Sequence, residues 1–114
     1  MSVARLRRRA AYREYMASAA WWTRRRDWHA HHVTVTGSEP RCAGCLAEWS
    51  LDDDDLHHLD YTRLGDEAHA DLIAVCRACH DVVHWLYDSS RAYRRLGLRT
   101  ASLTILQRIR AGRA

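Results

Sequence analysis

Four cysteines and four histidines between positions 42 and 84 stand at spacings that suit metal ions, and they sort into two sets. Cys42-Ala-Gly-Cys45 and Cys76-Arg-Ala-Cys79 read as the two halves of one tetrahedral thiolate site. All four cysteines of the chain fall into these pairs. The N-terminus shows no secretory hydrophobic segment, and no apolar run approaches about 18 residues, so thiolate zinc outranks a redox or disulfide arrangement or an iron centre. Four sulfurs complete a closed site. His57-His58 and His80-x-x-x-His84 are therefore surplus to it, and they imply a second metal or a titrating reaction centre.

Hydrolysis of a phosphodiester needs a water aimed at phosphorus and stabilisation of the charge that builds on the phosphoryl and leaving oxygens. A neutral histidine serves the first need and a divalent cation the second. Consecutive residues of a strand face opposite ways, so one of the His57-His58 pair can look into a metal site while the other polarises the nucleophile. His80 and His84 are four apart and share one face of a helix, from which they can close the metal. Imidazole ligands with an open position suit zinc, nickel, cobalt or manganese, and magnesium less well.

The elements that must position these groups can be read coarsely. With 114 residues the chain has room for one small domain with extensions, in which a metal staple is a large part of the folding free energy. Residues 3–30 are rich in Ala and Arg and lack Gly and Pro, which suits one long helix or two abutting ones, with Tyr12, Tyr15, Ala19 and Trp21 or Trp22 on a core-facing side. Val33-Thr-Val-Thr36 is a β-prone patch ended by the turn Gly37-Ser-Glu-Pro40. Leu46 to Leu51 and Leu56 to Leu59 are read as two strands, with Asp52 to Asp55 between them as a solvated turn. A helix is expected from about Cys79 to Leu96, bending or recapping at Asp88-Ser-Ser90 and ending at Gly97. Thr100 to Gly112 is a further amphipathic helix, with Leu103, Leu106 and Ile109 on one side and Arg108, Arg110 and Arg113 on the other.

Charge is partitioned along the chain. Residues 1–30 hold eight arginines against Glu14 and Asp27, and residues 91–114 hold seven arginines and no acid, while the middle is acidic. Every basic residue is arginine, which favours forked contacts to phosphate, although a composition bias toward Arg and Ala explains part of that preference. The pattern suits an active centre held between segments that grip a nucleic-acid backbone. Arg63 and Arg77, next to the histidines, are read as phosphate contacts. Tyr61 and Trp85 are read as packing around the histidines, and His29, His31, His32 and His69 as ordinary surface or capping residues.

Together, Cys42-x-x-Cys45, Leu56-His57-His58-Leu59-Asp60-Tyr61, Arg63-Leu64-Gly65-Asp66-Glu67 and Asp71-Leu72-Ile73-Ala74-Val75-Cys76-Arg77-Ala78-Cys79-His80 resemble the HNH endonuclease family in its zinc-stapled form. The likeness covers residues 41 to about 88. It implies an α+β fold: a small ββα metal motif with a pair of zinc knuckles of four cysteines in all, flanked by N- and C-terminal helices. By that resemblance His58 is the general base and His57 a metal ligand. His80 is the closing metal ligand, and His84 an additional ligand on the helix. Asp71 stands where the family usually has the asparagine that holds the base-bearing loop, and Glu67 is a loop brace or a partner to a histidine.

The resulting expectation is a basic helical extension over 1–32, a nuclease domain with structural zinc over 33–96 and a basic helical tail over 97–114. The function implied is metal-dependent hydrolysis of DNA, by nicking or double-strand cleavage, with structural Zn2+ and a catalytic divalent ion (Zn, Ni, Co, Mn or Mg). A zinc-dependent DNA-binding module without turnover, or a phage-packaging accessory protein with a large partner, is the alternative. The expected setting is cytoplasmic with no membrane association, and a homodimer contact through the tail stays open.

Overall fold

The computed structural model describes residues 3–112, so Arg113 lies outside the described residues. The N-terminal segment forms two abutting helices, α1 (Val3–Met16) and α2 (Ala19–Thr36). They part at Ser18, whose hydroxyl accepts the Trp21 amide N–H at 3.2 Å and so starts the second helix. Trp21, Arg25 and Trp28 recur at helical spacing and form the buried face of α2. Tyr15 and Trp21 stand on the core side as expected, whereas Trp22 is exposed.

The β-prone patch Val33–Thr36 is not extended; it is the last turn of α2. An established helix adds a residue at little cost, which outweighs the small penalty of β-branched side chains. Thr36 Oγ1 donates to the His32 carbonyl at 2.8 Å, and Gly37, at φ 73°, closes the end with its amide on the Val33 carbonyl.

Leu46 to Leu51 does not form a strand either. Its chain folds back on the first cysteine pair instead: Cys42 N–H donates to the Ala47 carbonyl at 2.8 Å and Trp49 N–H to the Pro40 carbonyl at 3.3 Å. The only β-type pairing there is an isolated bridge between Arg41 and Glu48. These backbone groups are spent closing the knuckle. The hairpin is built from β1 (Asp55–His58) and β2 (Leu72–Val75), antiparallel, with Asp55 opposite Val75 and His58 opposite Leu72. Leu59 N–H on the Asp71 carbonyl, 2.7 Å, carries the pairing one step into the connecting loop.

After β2 come α3 (Arg77–Ser89), α4 (Arg91–Leu96) and α5 (Leu98–Arg110). The expected recapping occurs at Ser90, whose hydroxyl accepts the Tyr93 amide at 3.2 Å, so the single long helix read from sequence is two. Gly97, at φ 81°, turns the chain from α4 into α5.

The two strands divide the interior. Leu56, Leu72 and Ala74 join Trp21, Trp28 and Trp49 beneath the N-terminal helices. Val75 joins Cys42, Cys79, Val83, Ile105 and Leu106 beneath the C-terminal ones. The period-two alternation of a strand thus sends neighbouring residues into different cores. This is an α+β architecture of the ββα metal type, a hairpin and a helix with a cysteine cluster beside them and helices on both flanks. No described helix is long and apolar enough to cross a membrane.

Candidate functional site

The knuckle Cys42–Cys45 and the Cys76–Cys79 turn at the start of α3 bring four sulfurs together, every pair within 4.8 Å. Cys45 Sγ and Cys76 Sγ are 3.8 Å apart. A tetrahedron with Zn–S bonds of about 2.3 Å has edges of roughly 3.8 Å, so the set has the dimensions of a zinc site. Backbone amides point at the sulfurs, with Gly44 N–H on Cys42 Sγ and Cys79 N–H on Cys76 Sγ, both 3.4 Å. Burial alone would raise the Cys42 thiol, but amide donors from Cys76, Cys45 and Gly44 outweigh it and hold the group at about 7. Burial pushes Cys76 and Cys79 the other way. Gly44 fits because it has no side chain: a Cβ there would lie 3.0 Å from Cys79 Sγ and 3.2 Å from Leu106.

The second cluster joins β1 to α3. One ring nitrogen each of His57, His80 and His84 lies within 4.8 Å of the others. His80 Nε2 and His84 Nε2 face each other at 3.0 Å, and His80 Nδ1 meets Asp55 Oδ2 at 3.0 Å. With its Nδ1–H donated to that carboxylate, His80 offers an Nε2 lone pair to the cluster, the arrangement common where a carboxylate orients a metal-bound histidine. His57 Nε2 is 2.9 Å from Ser102 Oγ, while His57 Nδ1 is buried without any partner in the protein. Burial, then the neighbouring His80 and His84, lowers His57 to about 3, and His84 is lowered by burial and His80. Two rings shifted toward the neutral form, a third whose Nδ1 faces a carboxylate, and an orphaned nitrogen among them fit a divalent cation. The cluster opens on a cleft of about 400 Å³ lined by Met16, Trp21, Asp55, Arg77, His80 and Asp81, among others.

Asp55 was expected in a solvated turn with the other three aspartates, and that reading needs correction. Asp52 and Asp53 are exposed, but Asp55 begins β1 and points at His80. Burial would raise its carboxyl; hydrogen bonds from His80 and Arg77 more than compensate and lower it. A signal for this existed in the sequence, because Asp55 and His57 are two apart and must share a strand face. Ser102 carried no such signal.

His58 lies on the other face of β1, away from the three-histidine cluster. Its Nε2 is 2.7 Å from Glu67 Oε2, and its ring stacks between Trp21 and Tyr61 at centroid distances of 4.9 and 5.2 Å, with the Tyr12 ring meeting it edge-on. Only 2% of His58 is exposed. Glu67 is itself buried, and its other oxygen accepts the Tyr15 hydroxyl at 2.8 Å.

Asp71 stands apart from both clusters. Its carboxylate is fully buried, takes both Arg63 Nε and Nη2, and accepts the Ala68 amide at 2.8 Å, with Arg99 at 3.4 Å. Hydrogen bonds from Arg63 do most to hold it at about 2. The group therefore ties the two ends of the loop between the strands. Arg63 and Arg77, read as phosphate contacts, are each engaged by a carboxylate, Asp71 and Asp55 respectively.

Tyr61 packs on His58, as read. Trp85 does not pack around the histidines: it is 69% exposed, because it falls on the side of α3 away from Cys79 and Val83. Among the other histidines, His69 stacks against Trp28 at 5.2 Å, and His29 pairs with Glu39 at 2.6 Å. The chain matches no family model, no curated protein and no solved structure.

Proposed function

We propose that this protein is a metal-dependent endonuclease of the HNH type, hydrolysing phosphodiester bonds in DNA. The observation that carries the reading is the convergence of His57, His80 and His84 from a strand and a helix, their nitrogens within 4.8 Å, with His80 and His84 at the wall of an open cleft and His57 buried behind them. In this reading Cys42, Cys45, Cys76 and Cys79 hold a structural zinc that fixes the hairpin's end against α3. His57, His80 and His84 hold the second ion. A divalent cation held there would supply Lewis-acid stabilisation of the charge on the phosphoryl and leaving oxygens.

The remaining work falls to side chains of the chain itself. By the family resemblance His58 would take the proton of the attacking water at Nδ1, since Glu67 already holds Nε2 and would steady the imidazolium that forms. Asp71 keeps the loop carrying Glu67 in register, since the Ala68 amide, next to Glu67, is bound to it. The phosphate-gripping surface is the exposed Arg8, Arg9 and Arg13 of α1, which line a groove of about 780 Å³ together with Tyr12 and Tyr61. These two tyrosines are the rings that pack on His58, so a backbone in that groove would run beside the base.

The enclosure of His58 favours a second reading, a zinc-dependent DNA-binding module without turnover. A ring this thoroughly buried, with a carboxylate on one nitrogen, is also what a purely structural histidine looks like. Supercoiled plasmid incubated with a panel of divalent ions separates the two. Nicking by the parent chain, lost in His58→Ala and in His80→Ala, supports the endonuclease. DNA retention without cutting under every ion would leave the binding module.

A further inference from the structure

The C-terminal helix contributes one polar atom to the imidazole cluster. Ser102 is fully buried in α5, among Ala101, Ile105 and Leu106. A serine inside a helix normally turns its hydroxyl back to its own helix, as Thr104 does by donating to the Thr100 carbonyl at 2.7 Å. Ser102 instead lies 2.9 Å from His57 Nε2, across the gap between α5 and β1. His57 is fully buried, and its other nitrogen, Nδ1, has no partner in the protein.

Two tautomers are available to this ring, and the structure gives them different consequences. If Nδ1 carries the proton, a buried N–H donor is left with nothing to accept it, a costly state. If Nε2 carries it, the proton is donated to the serine oxygen and the serine O–H is the donor left without an acceptor in the protein. Nδ1 then presents a lone pair that a cation can take, however, and this is the difference that selects the second tautomer. A nitrogen already hydrogen-bonded through its N–H cannot coordinate, so Nδ1 is the atom His57 has to offer. On His80 the outer nitrogen is Nδ1, held by Asp55, and the offered nitrogen is Nε2.

We propose that Ser102 is a positioning residue of the imidazole centre: its hydroxyl accepts the His57 Nε2–H and so sets Nδ1, unprotonated, toward the cation. The inference rests on the reading of His57, His80 and His84 as a metal site. It makes the basic tail part of that centre, because the cation site is then incomplete without α5. Asp55 from the start of β1 and Ser102 from α5 act on different rings of the cluster.

The test uses the full chain with zinc at the cysteines, titrated with Co2+ and followed by the visible absorption of cobalt bound to imidazole. Ser102→Ala is expected to weaken the second cobalt by about 10- to 100-fold, the usual effect of losing a ligand's outer partner, with zinc at the cysteines unchanged. Ile105→Val, which trims a fully buried neighbour in α5 and leaves the Ser102 hydroxyl in place, is expected to leave cobalt affinity as it was. Two-bond 1H–15N correlation of the parent chain should show His57 protonated at Nε2. Unchanged cobalt affinity in Ser102→Ala, equal loss in Ile105→Val, or a proton on Nδ1 would each overturn the role of Ser102 while leaving the metal site standing. A parent chain that takes no second cobalt would overturn the metal site and Ser102's role with it.

Discussion

The sulfur and imidazole clusters share α3, where Cys79 and His80 are adjacent, yet they are built in opposite ways. The sulfurs are served by backbone: two tight turns aim amide N–H groups at them, and the ligand set is complete within two short segments. The imidazoles are served by side chains from distant elements, Asp55 at the start of β1 and Ser102 in α5, and the set is open toward a cleft. Each half of the sulfur cluster is shaped by its own turn, although the two halves, 31 residues apart between Cys45 and Cys76, still meet only in the folded chain. The imidazole rings depend in addition on side chains from other elements to orient them.

The contrast is sharpest under removal of a sulfur. Cys76→Ser, or chelation of the zinc, is expected to abolish cooperative thermal unfolding by circular dichroism, since zinc held by four thiolates contributes about 10–16 kcal/mol to small domains, comparable to their whole stability. Retention of a sharp transition in the zinc-free chain would show that the sulfur cluster is not the staple. His80→Ala is the counterpart at the open cluster. It should cut plasmid nicking by about 100-fold or more, while metal analysis still finds one zinc per chain. Loss of both ions together would contradict the division into two centres.

Gly44→Ala probes how tightly the closed cluster is packed. The added methyl meets Cys79 Sγ, Leu106 and Ile109 at 3.0 to 3.3 Å, and a loss of about 1–3 kcal/mol in chemical unfolding is expected. The loop brace should respond to acid. Asp71 sits at about 2 in the folded protein against about 3.9 unfolded, so its contribution is fully present above about pH 4 and fades as pH falls toward 2. The gap in urea midpoint between the parent chain and Asp71→Asn should therefore narrow between pH 5 and pH 3; a constant gap would mean that the ion pair with Arg63 is not its source. The smallest effect is at Leu46, which follows the first knuckle at φ 67°, a conformation unfavourable for any residue with a Cβ. Leu46→Gly should change stability by no more than about 1 kcal/mol, in the favourable direction, by thermal melting.

How much was legible follows from how local each feature is. The cysteine pairs, the shared helical face of His80 and His84 and the recapping at Ser90 all depend on spacings of two to four residues, and all could be read. The strand pairing could not. Leu46 to Leu51 carries enough apolar residues to read as a strand, and only the closing of the knuckle on Pro40 and Cys42 takes its backbone groups away from the hairpin. Val33–Thr36 misled for a similar reason, because side-chain preference is weaker than continuation of a helix already running. Asp55 was hidden among its neighbours, although the alternation that separates His57 from His58 also separates Asp55 from Asp54.

The order of residues by itself determined two candidate metal-binding sets, the opposite faces that His57 and His58 must take, and the concentration of arginine at the two ends. These are consequences of covalent spacing and of the periods of helix and strand. Tertiary structure alone decided that Ser102 meets His57, that Asp55 takes His80, that the histidine Glu67 partners is His58, and that Asp71 binds Arg63. Each of those contacts joins residues 8 to 45 positions apart. At such separations no local geometry brings side chains together; only the burial of two apolar clusters on either side of the hairpin does.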